Sequence, residues 1–388
     1  MTIPRKVILC AAAASLLATA CRPHQATAPR KDAASGRAAT AAPSPTATPA
    51  PPLPILSAPH LAPGSDPSVL PGPILIADRN NNRLLVVDPQ GRIRWEFPRP
   101  GDLAAGQSFL VPDDAFFTPD GRHIVATQED DFAISTIDLA GHRVVYRYGV
   151  PGVHGMGPNL LWNPDDAMAL ANGSIVSADI KNCRLLLIGA GQHRPARVYG
   201  QSTNDCLHDP PARWGSPNGA FPMSDGNFLV TEINGNWVDQ LNLASGKVGF
   251  TIHPPGTSYP SDTNEVRPGL YLTVDYTYPG QIETFDRQGR LVWRYRPRWP
   301  HALDHPSLAL PLPNGDILCN DDRNHRVIVV DPRTDRVVWQ YGVTGRPGSA
   351  PGLLANPDGV DLLPPFSLAD RFSATLRTAG APTPHPVG

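Results

Sequence analysis

The sequence has little net charge, few aromatic residues and few cysteines, and these shortages narrow what the protein can be. Its 388 residues contain 33 Lys and Arg against 35 Asp and Glu, a formal net charge of -2. General nucleic-acid binding, which needs a basic surface, is therefore not expected. The sequence also lacks the zinc-protease, P-loop, serine-hydrolase and dinucleotide-binding motifs, so no catalytic site can be recognised from a motif.

Long apolar runs are also missing, apart from one near the start. Residues 7–20 are apolar or small and follow Arg5 and Lys6, and they end at Cys21. The run is shorter than the roughly 20 residues of a membrane-spanning helix, so residues 1–20 are predicted to be a signal peptide. The A-T-A before Cys21 resembles a bacterial lipobox, which would make Cys21 the lipidated N-terminus of an exported cell-envelope protein. Ala-x-Ala also suits ordinary signal peptidase, which would release a soluble secreted protein.

Proline and alanine are abundant in the segment that follows the apolar run. Residues 21–70 are rich in Ala, Pro and Thr and cannot bury enough apolar surface to offset chain entropy, so a disordered tether is predicted. Residues 366–388 are predicted to be a mostly disordered tail. Cys183 and Cys206 fall in loops expected on one face and are predicted to form a disulfide, whereas Cys319 is expected as a buried thiol.

Between these ends the chain repeats, with prolines 43 to 53 residues apart at Pro112, Pro164, Pro217, Pro260, Pro306 and Pro357. Fifteen residues after each of the first five comes the expected end of a second strand, at Thr127, Asp179, Glu232, Asp275 and Asp321. The best-defined unit, residues 305–341, predicts four short antiparallel strands, which is the size of one propeller blade. An open β-sandwich with chance repetition is the alternative.

The first and last repeats are each incomplete, and they complement each other. The first, from residue 74, lacks an initial strand, whereas Pro357 opens a strand that has no partner after it. We therefore predict an all-β, six-bladed propeller over residues 71–365, closed by a C-terminal strand that joins the N-terminal blade. One aromatic in each fourth strand is expected to bind one blade to the next: Trp95, Tyr146, Tyr199, Phe250, Trp293 and Trp339.

Three blades carry the pattern D-x-x-N-x-R before an apolar strand, beginning at Asp78, Asp179 and Asp321. The pattern resembles the NHL-type propeller repeat, and P-N-G-A at Pro217 and P-D-G-V at Pro357 resemble its opening. In each loop the Asp is expected to accept backbone N–H groups and to pair with the Arg.

A second resemblance points to an enzyme class. His305 with L-P-N-G and V-V-W-Q-Y-G is similar to arylsulfotransferase-type propellers, in which several His and an Arg converge on the axis. This resemblance implies catalysis at the mouth of the central channel.

A ligand site is predicted on the face that carries the blade-linking loops. His, Trp and Arg side chains gathered at one mouth suit a small-molecule, peptide or protein ligand. The candidates are His154, Trp162, His208, Arg213, Trp214, Trp299, His301 and His305.

Carboxylates recur at the leading ends of the first strands, where they would surround the axis. Asp114, Asp166, Asp262 and Asp358 are candidate ligands of a hard cation such as Ca²⁺, because oxygen donors suit that ion. The alternative is that each Asp caps its own strand. The sequence thus favours a monomeric binding or scaffold module, and a metal-dependent lyase or hydrolase or a sulfotransferase-like enzyme is the competing class.

Overall fold

A computed structural model describes residues 53–373 and 375–376. The predicted signal peptide, Cys21 and residues 21–52 of the predicted tether lie outside the described residues. None of the described helices is long and apolar enough to cross a membrane.

The described chain forms six four-stranded antiparallel sheets, as predicted. The innermost strand is the first one of the chain in blades two to six and the C-terminal strand in blade one, and neighbouring inner strands contact one another around the ring. Blade one contains β1 (Ile74–Asp78), β2 (Arg83–Val87), β3 (Ile93–Phe97) and β24 (Pro357–Leu362); blade two contains β4 (Pro112–Phe117), β5 (His123–Gln128), β6 (Ala133–Asp138) and β7 (Arg143–Gly149); blade three contains β8 (Pro164–Ala169), β9 (Ile175–Asp179), β10 (Arg184–Ile188) and β11 (Pro195–Tyr199). Blade four contains β12 (Pro217–Pro222), β13 (Phe228–Glu232), β14 (Trp237–Asn242) and β15 (Lys247–Ile252); blade five contains β16 (Pro260–Arg267), β17 (Leu270–Asp275), β18 (Gln281–Asp286) and β19 (Leu291–Tyr295); blade six contains β20 (Ala309–Pro311), β21 (Ile317–Asp321), β22 (Arg326–Asp331) and β23 (Arg336–Gly342).

Strand β24 closes the ring by pairing with β1. The two strands are antiparallel, with Ile74 opposite Leu362 and Ile76 opposite Val360. The predicted exchange of a C-terminal strand into the first blade is confirmed. It leaves the inner edge of β1 paired and ties both ends of the ring into one sheet.

The six fourth-strand aromatics contact the following blade, as predicted. Trp95 Nε1 donates to Leu139 O at 2.9 Å, Tyr199 Oη to Leu243 O at 2.7 Å, and Trp339 Nε1 to Pro89 O at 2.8 Å across the closure. The others make equivalent contacts: Tyr146 with Gln192, Trp293 with Asp335, and Phe250 with Tyr271. In the five Trp and Tyr residues the polar atom of the ring is satisfied by the neighbouring blade, whereas Phe250 makes only an apolar contact.

The D-x-x-N-x-R segments act as local architecture. In the third blade, Asp179 Oδ2 accepts from Asn182 Nδ2 at 2.8 Å and from Arg184 Nε at 2.7 Å. Its other oxygen accepts the Trp162 backbone N–H at 2.7 Å, which fixes the loop that leads into the inner strand. The corresponding groups of blades one and six repeat this arrangement.

The predicted tether ends earlier than residue 70. From residue 53 the chain follows the outer strands of blades one and six: Leu56 N donates to Ile93 O at 2.8 Å, and Asp66 N donates to Val338 O at 2.8 Å. Leu61 forms a β-bridge with Tyr341. Backbone pairing with exposed sheet edges orders residues 53–70 despite their Pro-rich composition, so this arm spans the seam where the ring closes.

The predicted disordered tail is also corrected, since part of it is helical and buried. A short helix α1 (Leu368–Arg371) is capped by the Ser367 side chain. Leu368, Phe372 and Leu376 are at most 5% exposed. Backbone and side-chain contacts to Ala171, Met223 and Glu265 hold the segment across the far ends of the inner strands.

Two of the three cysteines that follow Cys21 are joined. The sulfurs of Cys183 and Cys206 form a disulfide with a Cα–Cα distance of 5.0 Å. It fixes the long loop between blades three and four to the end of β9. Cys319 is a buried free thiol, and burial raises its pKa.

Candidate functional site

A cavity of about 120 Å³ opens at the axis on the face that carries the blade-linking loops. The residue after each blade proline contributes to its lining, so six equivalent positions form one ring: Asp113, Asp165, Asn218, Ser261, Ser307 and Asp358. A second set follows the ends of second strands and reaches the same cavity: Arg79, Glu129 and Tyr276. The repeat therefore places one polar side chain of every blade at the axis, and a second one in blades one, two and five.

Asp114, Asp166 and Asp262 meet one layer below this ring. They come from three inner strands, and one oxygen of each lies within 4.8 Å of the others. All three side chains are buried, at 3%, 0% and 1% exposure. A Cβ at Gly219 would lie 2.4 Å from an Asp262 oxygen and 3.0 Å from an Asp166 oxygen, so glycine leaves room for the group.

Bulges at the start of the inner strands explain how two consecutive aspartates reach the axis. In a regular strand, neighbouring side chains point to opposite faces, so only one Asp of each pair would face the channel. The register shifts between Pro112 and Ala115 and between Pro164 and Ala167. An extra residue at these points turns both Asp113 and Asp114 towards Asp165.

The buried trio lacks compensating donors. Asp166 Oδ2 accepts the Ala220 backbone N–H at 2.9 Å, so it binds the inner strand of the next blade and not, as the capping alternative expected, its own strand. Among the described residues, however, Asp114 Oδ1, Asp166 Oδ1 and both Asp262 oxygens have no hydrogen-bond partner. Burial first, and neighbouring carboxylates second, raise the pKa of all three groups.

Arg79 neutralises part of the ring above. Its Nη1 contacts Asp113 and, at 3.2 Å, Asp358, and its Nη2 lies 2.8 Å from both Glu129 and Asp130. Burial alone would lower the pKa of Arg79, but the carboxylates, led by Asp358, outweigh it and raise the pKa. Asp358, a predicted metal ligand, thus pairs with Arg79 and does not belong to the trio.

Tyrosines flank the opening, and apolar side chains close its other end. Burial, with Asp165 next, raises the pKa of Tyr259 to about 12, so its hydroxyl keeps its proton at neutral pH. Below the trio, Phe116 packs edge-on against Phe221 with centroids 5.6 Å apart. Phe372 belongs to the same apolar cluster. The site is therefore a well that opens on one face.

Most predicted loop residues lie away from this well. His154 stacks on Trp162, with centroids 4.4 Å apart. Trp299 is 81% exposed and His301 is exposed. His305 Nδ1 lies 2.6 Å from Asp304 Oδ1. None of these side chains lines the axial cavity.

The loop before blade four behaves differently from the prediction. Trp214 was predicted on the binding face but is fully buried, because its indole packs between blades and Nε1 donates to Tyr199 O at 3.1 Å. Arg213 pairs with Asp205 at 2.7 Å at the surface. His208 turns inward, and its Nδ1 lies 3.1 Å from Glu232 Oε1.

The sequence carries a signal that points to Arg79, Glu129 and Tyr276. Each directly follows the end of a second strand, and the repeat in the sequence also predicts where the second strands end. The arylsulfotransferase resemblance implied several histidines at the axis. In the part of the chain that the structure describes, the cavity is lined by one arginine and no histidine.

Comparison with solved structures supports the architecture. A chain of a nidogen/laminin complex is 14% identical and aligns over 74% of this chain and 97% of its own length, with a TM-score of 0.51. A protein of unknown function from Bacteroides caccae is 15% identical over 74% and 98% of the two chains, with a TM-score of 0.49. Virginiamycin B lyase from Staphylococcus aureus is 15% identical over 59% and 69%, with a TM-score of 0.43. No family model and no curated protein matches the sequence. The chain is a six-bladed β-propeller, and its likeness to these structures lies in the fold.

Proposed function

We propose that the protein is a binding module whose axial well holds one hard divalent cation and whose mouth receives a positively charged or hydrogen-bonding group of a ligand. The observation that carries this proposal is the meeting of Asp114, Asp166 and Asp262 with buried oxygens that lack donors. Three such carboxylates need either protons or a cation. A Ca²⁺ ion supplies the missing charge in one step.

The spacing of the oxygens suits Ca²⁺. Ligand oxygens lie about 2.4 Å from Ca²⁺, so any two around one ion are at most about 4.8 Å apart. The trio meets this limit, with one oxygen of each residue within 4.8 Å of the others. Without a cation, each ionised pair at that separation would repel by about 3 kcal/mol at an effective dielectric constant of 20. A bound ion turns this repulsion into attraction.

The mouth above the trio favours a cationic partner. Five carboxyl groups and one arginine line the cavity, and a single Ca²⁺ would leave the well negative. Tyr259 and Tyr276 keep their hydroxyl protons, because burial raises the pKa of both. An amine or guanidinium of a small molecule or peptide could therefore be bound by charge and by hydroxyl groups.

Calcium binding is tested on protein first treated with chelator and then titrated with Ca²⁺. We expect one ion per chain by isothermal titration calorimetry. At a hundredfold excess over Kd, stability should rise by about 2.7 kcal/mol. The double variant Asp166→Asn/Asp262→Asn, which keeps shape but removes charge, should lose both effects.

The control is Asp120→Asn, which changes an exposed carboxylate in the turn between β4 and β5. It should bind Ca²⁺ like wild type. A wild-type protein whose heat signal and melting curve are the same with Ca²⁺ and with chelator would refute the proposal, leaving shared protons as the stabilisers of the trio.

Two finer assignments remain proposals on sequence grounds alone. The NHL-type repeat rests on D-x-x-N-x-R in three blades, and export with a lipid anchor rests on Cys21. Outside the cytoplasm, the surroundings of a tethered binding module would be compatible both with a bound Ca²⁺ ion and with the Cys183–Cys206 disulfide.

A further inference from the structure

Blade four departs from the charge pattern that blades one, three and six share. In blades one, three and six, an arginine pairs with the Asp that ends the second strand, as Arg184 does with Asp179 at 2.7 Å. In blade four, Glu232 replaces that Asp and Trp237 stands where the arginine would be, opposite Glu232 in the strand register.

Blade four also buries a second carboxylate, Asp239, and the fourth strand opposite it supplies a threonine where blade five supplies an arginine. Asp239 lies two residues after Trp237 and pairs with Thr251 of the fourth strand. The corresponding fourth-strand residue of blade five is Arg294, which binds the buried Glu283 at 2.8 Å. Blade four therefore buries two carboxyl groups, both at 0% exposure, without an arginine.

His208 is the group that faces these carboxyls. Its Nδ1 lies 3.1 Å from Glu232 Oε1 and 3.8 Å from Asp239 Oδ2. Asp239 Oδ2 is buried and has no hydrogen-bond partner among the described residues. The imidazole is 21% exposed, so the group can be reached from solvent.

Neighbouring groups hold the three side chains in place. The Gly215 backbone N–H donates to Glu232 Oε2, and the Thr251 hydroxyl donates to Asp239 Oδ1. These bonds leave Glu232 Oε1 and Asp239 Oδ2 directed at the histidine. The Trp237 ring stacks on His208 with centroids 4.3 Å apart and fixes the imidazole plane. Such outer contacts are typical of metal sites, because they orient the ligands.

We propose that His208, Glu232 and Asp239 bind a Zn²⁺ ion in blade four, at a site separate from the axial well. Ligands about 2.05 Å from a tetrahedral Zn²⁺ are about 3.3 Å apart, and the two measured separations from the histidine, 3.1 and 3.8 Å, bracket that value. One imidazole and two carboxylates form a nitrogen and oxygen set that Zn²⁺ accepts, and water from the exposed side completes the coordination. The ion takes the place of the arginine that blades one, three and six use.

The test uses the full chain, freed of metal with chelator, and titrates Zn²⁺ against a chromophoric competitor. We expect one high-affinity site. Asp239→Asn and His208→Gln should each weaken binding by about a hundredfold or more, which corresponds to about 2.7 kcal/mol. Asp209→Asn, which removes the exposed carboxylate next to His208, is the matched control and should bind like wild type.

Two further readouts keep the result unambiguous. Co²⁺ in place of Zn²⁺ should give visible absorption of a low-coordinate site, and this should vanish in His208→Gln, whose partly exposed position tolerates the change. Ca²⁺ binding at the axial trio should be unaffected by these substitutions, so failure of either site is distinguishable. Absence of stoichiometric Zn²⁺, or equal affinity in wild type, Asp239→Asn and His208→Gln, would overturn the proposal and leave a hydrogen-bonded histidine–carboxylate cluster.

Discussion

Replacing Phe372 by alanine tests whether the C-terminal segment forms part of the propeller. Phe372 is 5% exposed and belongs to the apolar cluster that includes Phe116 and Phe221 beneath the axial trio. Truncating a buried Phe to Ala costs about 3–5 kcal/mol. Because this ring lies at the end of the channel, where neighbours can partly relax, we expect the lower figure, about 3 kcal/mol.

The corresponding melting shift follows from the size of the folded part. An unfolding entropy of about 2.1 cal/mol/K per residue over the described chain gives about 0.7 kcal/mol/K. A loss of about 3 kcal/mol should therefore lower Tm by about 4 °C. Differential scanning calorimetry measures this directly.

Two controls separate a packed tail from a general effect of mutation. Val292→Ala changes a residue that is 58% exposed on β19 and should shift Tm by less than 1 °C. Ending the chain after residue 377 keeps every described contact and should leave Tm unchanged. If Phe372→Ala melts within 1 °C of wild type, as Val292→Ala should, the tail does not pack as described and a disordered tail is correct.

Two other predictions concern buried charges. Burial raises the pKa of Asp361 to about 7, against the opposing effect of three backbone N–H donors. A carboxyl with a raised folded-state pKa stabilises below its unfolded pKa, and this contribution, at most about 4 kcal/mol, is lost as pH rises from about 4 to about 7. Urea unfolding of Asp361→Asn should therefore lack that part of the pH dependence, and parallel curves for both proteins would contradict it. Arg184→Met should lower the free energy of unfolding in urea by about 3–5 kcal/mol, because it leaves Asp179 charged and buried. Arg213→Met, which breaks the exposed pair with Asp205, should lower it by less than about 1 kcal/mol. Equal losses in the two variants would contradict this prediction.

The ring could be predicted from the sequence because its repeat is simple and its parts are local. A proline at or just before each inner strand, with an acidic or polar residue 15 positions later in five repeats, gave the period. Observed second strands end at Asp179, Glu232, Asp275 and Asp321, as predicted, and one residue late at Gln128. Closure followed from two incomplete units, since an unpaired inner strand has an unsatisfied edge.

The predictions failed where a segment is stabilised by partners distant in sequence. Residues 53–70 have the composition of a disordered tether, yet they pair with edges of blades one and six. Trp214 looked like a surface anchor in a polar loop, but the space between two blades buries it. The composition of a segment indicates only how much apolar surface it can bury by itself. In both cases another part of the ring provides the surface against which the segment packs.

In the candidate site, too, some features follow from the local sequence pattern and others depend on how the ring is assembled. That aspartates at the start of inner strands would approach the axis followed from the repeat, and Asp114, Asp166 and Asp262 do meet there. Which oxygens lack donors could not be predicted, because it depends on bulges that turn two consecutive side chains the same way and on the small Gly219 between them. Asp358 lies one position earlier in its blade, in the ring above the trio, and pairs with Arg79, which follows the end of a second strand; Gly359 stands at the position equivalent to the trio. Sequence position thus determines which residues reach the axis, while competition among their charges determines which of them remain free to hold a cation.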